Sequence, residues 1–218
     1  MSARHARRAR AGHTLLEMLV VLAILAVVGG AVALVGLTGE DAFRAETVRT
    51  TLDGQAREVT ARLTRELRGS SGGSISALPP SPAWDTNLTF DQPSAILPTT
   101  GAIVWRSMRL ELRYEPGELD DGLDNNGNGL VDEGRVVMLR GWGEADEHTV
   151  VLVHGVREYL EGESFNGLDD NGNGLVDERG LSFERDGDTV TVRLSLECLD
   201  SDGHPSVRSA ETSALLRN

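Results

Sequence analysis

The sequence has no lysine, a single cysteine and few aromatic rings, and each shortage excludes something. With Cys198 alone, no disulfide can close within the chain, and its place in an alternating apolar stretch reads as a small core residue rather than a nucleophile. At 4% aromatic and 39% hydrophobic, the core must rely on Val, Leu, Ile and Ala, which favours slim sheets. All 21 basic residues are arginine, a bias from which no function follows. Basic charge is also scarce beyond the N-terminus. Arg4, Arg7, Arg8 and Arg10 precede the first apolar run, leaving 17 arginines against 34 acidic residues in the rest. So acidic a body repels phosphates, which argues against direct nucleic-acid binding through a basic patch and favours cations as small partners. Among His148, His154, His204, Ser206 and the many acids, no nucleophile motif, phosphate loop or zinc spacing emerges, so an enzyme is not expected.

Long uncharged runs are equally scarce, with one exception. From Met18 to Leu37, 20 residues carry no charge, enough at about 1.5 Å per helical residue to cross a hydrocarbon core of about 30 Å. The preceding arginines should stay cytoplasmic, which sends the acidic body to the opposite side of the membrane as a single-pass protein. Glu17 stands at the start of this run, where a carboxylate costs up to about 3 kcal/mol unless paired. A secretory signal peptide cut near Ala31-Val32-Ala33 would explain the apolar run, but neither the charge at its start nor its continuation through Leu34-Val35-Gly36-Leu37.

The stretch Ala11-Gly12-His13-Thr14-Leu15-Leu16-Glu17-Met18-Leu19-Val20-Val21-Leu22-Ala23-Ile24-Leu25 closely resembles the N-terminal signal of type IV prepilins and type II secretion pseudopilins. The resemblance implies cleavage by a prepilin peptidase after Gly12 and methylation of the new terminal residue, His13, where the family usually carries phenylalanine. It also implies that Glu17, fifth in the mature chain, pairs with the terminal amine of a neighbouring pilin or pseudopilin subunit. Two opposite charges tolerate lipid better than one.

Beyond Thr38, Val48, Leu52, Ala56, Val59, Leu63 and Leu67 recur every three or four residues, a helical stripe expected to continue the first helix to about Arg68 as a rod of roughly 80 Å. Gly69 to Ser74 reads as a stop and a flexible joint. Met108 to Tyr114 and Val190 to Cys198 alternate as half-buried antiparallel strands. Shorter candidates are 102–106, 135–140, 149–154, 157–161, 181–185 and 212–217, while Pro79, Pro80, Pro82 and Pro93 are expected to rigidify a loop. The ordering is similar, more loosely, to J-type minor pseudopilins and larger minor pilins.

An internal repeat has a period of 45: Gly122 to Glu133 recurs as Gly167 to Glu178, changed only at Asp170. Counting from Asp124, oxygen-bearing side chains fall at places 1, 3, 5 and 9 (Asp124, Asn126, Asn128, Asp132), with glycine at 6 and the Leu130 carbonyl at 7. The second loop offers Asp169, Asn171, Asn173, the Leu175 carbonyl and Asp177, with Val176 expected to anchor the loop to the sheet. Both resemble EF-hand-like and thrombospondin-type calcium loops. The twelfth places hold Arg135 and Gly180, so the usual bidentate glutamate is missing, and Asp121, Glu133 and Glu178 are possible additional ligands. Asparagine at two ligand places lowers the site charge, predicting affinities of about 10⁻⁴ to 10⁻³ M. Asn-Gly pairs also make tight turns, but that alone does not explain a duplicated ligand pattern. Each loop is expected to cap a hairpin.

The sequence thus predicts an α+β protein whose long N-terminal helix packs on an antiparallel sheet. Its parts are a basic leader at 1–12, a transmembrane helix at 13–38, an amphipathic helix at 39–69, and a sheet domain at 70–218 with calcium loops at 121–133 and 166–178. The function that follows is a minor pilin or pseudopilin, a structural subunit of a type II secretion pseudopilus or type IV pilus, with calcium at two sites. Its partners would be the prepilin peptidase, other subunits and the membrane. The alternative is a membrane-anchored or secreted calcium-dependent binding module outside any filament.

Overall fold

The structure, a computed structural model, describes residues 14–70, 74–75, 78–200 and 202–216, with the side chains of 35–42 left out. The leader 1–12, the pair Gly12 and His13, and the middle of the Gly69 to Ser74 joint lie outside the described residues. The chain divides into two compact units, Met1–Arg44 and Ala45–Asn218. Helix α1 (Leu15–Arg68) contributes residues to both.

In the first unit α1 starts at a capped end. The Glu17 amide donates to Thr14 Oγ1 at 3.3 Å, and the Met18 amide donates to the Thr14 carbonyl at 3.2 Å. Thr14 therefore serves as an N-cap, satisfying helix donors that would otherwise lack partners. The span Leu15–Leu34 is long and apolar enough to cross a membrane, and none of it is buried within the protein.

In the second unit α1 buries the predicted stripe. Leu52, Ala56, Val59, Leu63 and Leu67 are all buried and share one core with Leu88, Phe90, Leu110, Phe183 and Leu194 from the sheet. Thr60 and Thr64, also on the buried face, turn their hydroxyls onto the Ala56 and Thr60 carbonyls at 2.9 and 2.8 Å, so neither hydroxyl is buried unpaired. At the helix C-terminus, Gln92 from the sheet donates to the Glu66 carbonyl and carboxylate at 2.9 and 2.7 Å, tying the last turn to the strand that carries it.

The sheet is antiparallel and comprises β1 (Trp84–Asp85), β2 (Asn87–Ile96), β3 (Ile103–Tyr114), β4 (Gly134–Arg140), β5 (His148–Val156), β6 (Leu181–Asp186), β7 (Thr189–Leu199) and β8 (Pro205–Leu215). It runs β1-β6-β7-β5-β4-β3-β2, and β8 pairs with the other side of β7. The α+β class expected from sequence is the one observed.

Four local expectations are corrected. Segment 157–161 is no strand; its pairing is the lone bridge Tyr159↔Arg179. Pro93 lies within β2, at a register shift on the outer strand of the sheet, where a missing amide proton is tolerated. The second acidic loop does not cap a hairpin: β5 and β6 both pair with β7, the first through Val156↔Leu196 and the second along Leu181↔Leu194 to Asp186↔Thr189. The loop therefore passes between strands that occupy successive lengths of one β7 edge. Finally, the second loop is anchored by Leu175, 2% exposed, whereas Val176 is 44% exposed and offers its carbonyl to Trp84 Nε1 at 2.9 Å.

The buried stripe makes a first prediction. Leu63→Ala removes a fully buried side chain and should destabilise the second unit by about 3 kcal/mol, seen as a lowered thermal unfolding midpoint of the detergent-solubilised full chain. Leu22→Ala, on the exposed apolar span, should leave that transition in place.

Candidate functional site

The two acidic loops share one backbone. Left-handed φ values recur pairwise: 100° and 90° at Gly117 and Gly162, 76° and 77° at Gly122 and Gly167, 77° at both Gly127 and Gly172, 91° and 92° at Gly129 and Gly174, and 51° and 52° at Asp132 and Asp177. Glycine makes such turns without strain, and Asp tolerates them better than most residues.

Inside each loop the first acid organises the turn. Asp124 accepts the amides of Gly127, Asn128 and Gly129 at 2.6, 3.2 and 2.8 Å, and Asp169 accepts those of Gly172, Asn173 and Gly174 at 2.6, 3.1 and 2.8 Å. Asn126 Oδ1 accepts the Asn128 amide and Asn128 Oδ1 that of Leu130, repeated at Asn171, Asn173 and Leu175. Places 1, 3 and 5 of each loop are thus tied to one another through backbone amides, and place 7 joins them through its own amide. Place 9 is used differently. Asp132 accepts the amides of Asp121 and Gly122, and Asp177 accepts those of Asn166 and Gly167, so each holds the entrance of its own loop. Asp121 accepts from the Leu123 amide and Asn125 Nδ2.

Two further acids per loop turn inward. Glu133 Oε1 accepts both Asn126 Nδ2 and Asn128 Nδ2, at 2.8 and 2.6 Å, and Glu118 Oε1 accepts the Asn126 amide at 2.7 Å. In the second loop Glu178 Oε1 accepts Asn173 Nδ2 at 2.6 Å, while Glu163 accepts the amides of Asn171 and Asp177 at 3.0 and 3.2 Å. All four are buried. Burial pushes the Glu178 carboxyl above its ordinary range, with the Asn173 amide opposing and the neighbouring Glu163 charge reinforcing the shift. Glu118 and Glu163 were not among the expected ligands. Their signal was present, since the period of 45 extends back through Tyr114 and Tyr159, Gly117 and Gly162, and Glu118 and Glu163.

The twelfth places are closed to a ligand. Arg135 pairs within β4 against Arg113 and His154, and a Cβ at Gly180 would overlap the Arg157 carbonyl oxygen. Beside the loops, Asp120, Asp132 and Glu158 converge around Arg179, which donates to Glu158 at 2.6 Å, Tyr114 Oη at 3.2 Å and Asp120 at 3.3 Å. Arg179 also lies over the Tyr159 ring at 4.7 Å. Burial pushes the Tyr114 phenol up to about 12, despite the lowering effect of Arg179. Cys198 is half-buried, and burial followed by the charges of Asp200 and Glu197 raises its thiol, away from thiolate chemistry. His154 Nδ1 meets Glu115 Oε1 at 2.8 Å.

The membrane-length segment is the other functional element. Glu17 occupies the first turn of α1, where an acid complements the helix N-terminus, and it is followed by side chains exposed through Leu34. Residues 7–33 match the family described as the prokaryotic N-terminal methylation motif. The match supports a prepilin-type protein. Such a motif implies processing by a prepilin peptidase and assembly with other pilin subunits, and together with the apolar helix it accords with membrane anchoring. No curated protein and no solved structure matches the chain.

The closed twelfth place yields a second prediction. Gly180→Ala should destabilise the second unit by more than about 3 kcal/mol, because backbone has to move, whereas Gly187→Ala, at φ 58° in open space, should cost about 1 kcal/mol. Thermal unfolding of the two variants against the unaltered chain reads the difference.

Proposed function

We propose that this protein is a minor pilin or pseudopilin, a structural subunit of a type II secretion pseudopilus or type IV pilus. The observation that carries the reading is the coincidence of the methylation motif over residues 7–33 with a helix whose apolar side chains from Leu15 to Leu34 have no cover within the protein. Cleavage after Gly12 frees His13 for methylation, Glu17 pairs with the terminal amine of an adjacent subunit, and the apolar helix assembles with others of its kind. The sheet unit then stands on the extracytoplasmic side, where each acidic loop holds a calcium ion. Asp124, Asn126, Asn128 and the Leu130 carbonyl serve one ion, and Asp169, Asn171, Asn173 and the Leu175 carbonyl the other. Hard oxygen donors on a tight, glycine-turned loop suit that cation. The work is structural rather than catalytic.

Intact mass and N-terminal sequencing of membrane-extracted protein test this reading in cells with and without prepilin peptidase. A mature chain beginning at His13 only where the peptidase is present, carrying one added methyl group, is the expected result. An uncut chain in both strains, or a start near Leu34, would sink it.

A second reading draws on the apolar residues displayed by the loops: Leu119, Leu123, Phe165 and Leu168 are 61%, 62%, 78% and 63% exposed. These favour a membrane-anchored, calcium-dependent binding module outside any filament. Asp124→Ala combined with Asp169→Ala separates the two. As a structural subunit the double variant should be degraded and missing from sheared filaments by immunoblot, whereas a free-standing binding module should accumulate at the unaltered level.

A further inference from the structure

We propose that Glu118 and Glu133 complete the cation shell of the first loop, and Glu163 and Glu178 that of the second, in place of Asp132 and Asp177. The assignment rests on the calcium reading above and adds residues to it. Glu118, Glu133, Glu163 and Glu178 are 6%, 1%, 2% and 0% exposed, and among the described residues none of the four forms an ion pair. Buried carboxylates of this kind are strongly disfavoured unless something compensates their charge. In three of the four the hydrogen bonds received are incomplete: Glu118 Oε2, Glu133 Oε2 and Glu178 Oε2 are buried without any donor, whereas each Glu163 oxygen accepts one backbone amide.

These carboxylates are also aimed at the loop residues already assigned to the ion. Glu133 meets the amide groups of Asn126 and Asn128, Glu178 meets that of Asn173, and Glu118 and Glu163 reach the backbone of Asn126 and Asn171. Asp132 and Asp177 are engaged at the loop entrances instead. With the twelfth place taken by β4 in one loop and by the crowded Gly180 in the other, a glutamate two places earlier is the nearest acid that can supply a terminal ligand. Two added carboxylates per loop raise the ligand charge and place the affinity at about 10⁻⁵ M or tighter, above what the asparagine-rich loop alone predicts.

The test is calcium titration by calorimetry, with thermal unfolding in chelator, on the detergent-solubilised full chain and on variants altered in one loop at a time, so that the untouched loop reports on folding. The unaltered chain should take up two ions. Glu133→Gln should leave one ion bound and, by removing an uncompensated buried charge, raise the unfolding midpoint in chelator. Glu178→Gln and Glu118→Gln should each likewise cost one ion. Asp132→Asn should lower the midpoint with or without calcium while two ions still bind within about threefold of the original affinity. Two ions at unaltered affinity in Glu133→Gln and Glu178→Gln, or a lowered midpoint of both in chelator, would overturn the assignment and leave the calcium reading standing. No uptake by the unaltered chain at millimolar calcium would overturn both.

Discussion

The sheet unit depends on one contact, the stripe from Leu52 to Leu67 laid along the inner face of an antiparallel sheet. The main core cluster gathers there: β2 and β3 through Leu88, Phe90 and Leu110, and β6 and β7 through Phe183, Val192 and Leu194. Few rings are available, so the interface is filled by branched aliphatics with Phe90 and Phe183 as its largest members. A polar atom left unpaired in an aliphatic core is costly. The threonines on the helix face therefore bond back to their own backbone, and Gln92 closes the helix end from the sheet.

With the core secured by helix and strands, the long excursions between strands are free to hold charge. The first acidic loop leaves at Tyr114 and returns at Gly134 within a β3–β4 hairpin, and the second leaves at Val156 and returns at Leu181 between two strands that share β7. Different strand connections with the same interior backbone mean that the loop conformation is set by its own residues rather than by the sheet. Matched φ values at five paired positions, including two aspartates in a region side chains seldom occupy, support this. The loops also meet side by side. Arg179, next to Glu178, binds Asp120 from the first loop, while Asp132, next to Glu133, lies in the same acidic cluster, so each loop's inward glutamate adjoins a residue fixed at this junction.

The sequence was most readable where period and burial coincide. The α1 stripe, β3 and β7 alternate cleanly because one face of each meets the core. β2 was missed because Asp91, Gln92, Pro93 and Ser94 break the alternation on an outer strand, where backbone pairing with β3 matters more than side-chain burial. Most of β8 was missed for the same reason: its polar run from Ser206 to Ser213 pairs along β7 with little of it buried. Segment 157–161 looked like a strand yet lies where the second loop departs. At the acidic loops, the repeat and its first four ligand places were legible. The inward glutamates Glu118 and Glu163 lie ahead of the first ligand places, Asp124 and Asp169, and so outside the calcium-loop spacing, whereas the structural repeat begins at Tyr114 and Tyr159. The repeat marks this pair in sequence, but that both acids are buried and turned inward appears only when neighbouring atoms are placed.

The two compact units satisfy their apolar surface in opposite ways. From Ala45 onward, α1 turns its apolar stripe into a core that the sheet completes. From Leu15 to Leu34 the apolar side chains surround the helix rather than forming a stripe, and none is covered by the protein. A helix apolar on all sides is stable only in lipid or among other such helices. Its backbone bonds are already made internally, and the one acid, Glu17, stands at the capped first turn, where helix polarity partly offsets its charge. A carboxylate at that edge costs less than one at mid-span, yet it still favours a partner cation over hydrocarbon. Apolar on every side and with its acid confined to the capped edge, this span fits lipid or a bundle of like helices, whereas the stripe from Leu52 to Leu67 fits the sheet.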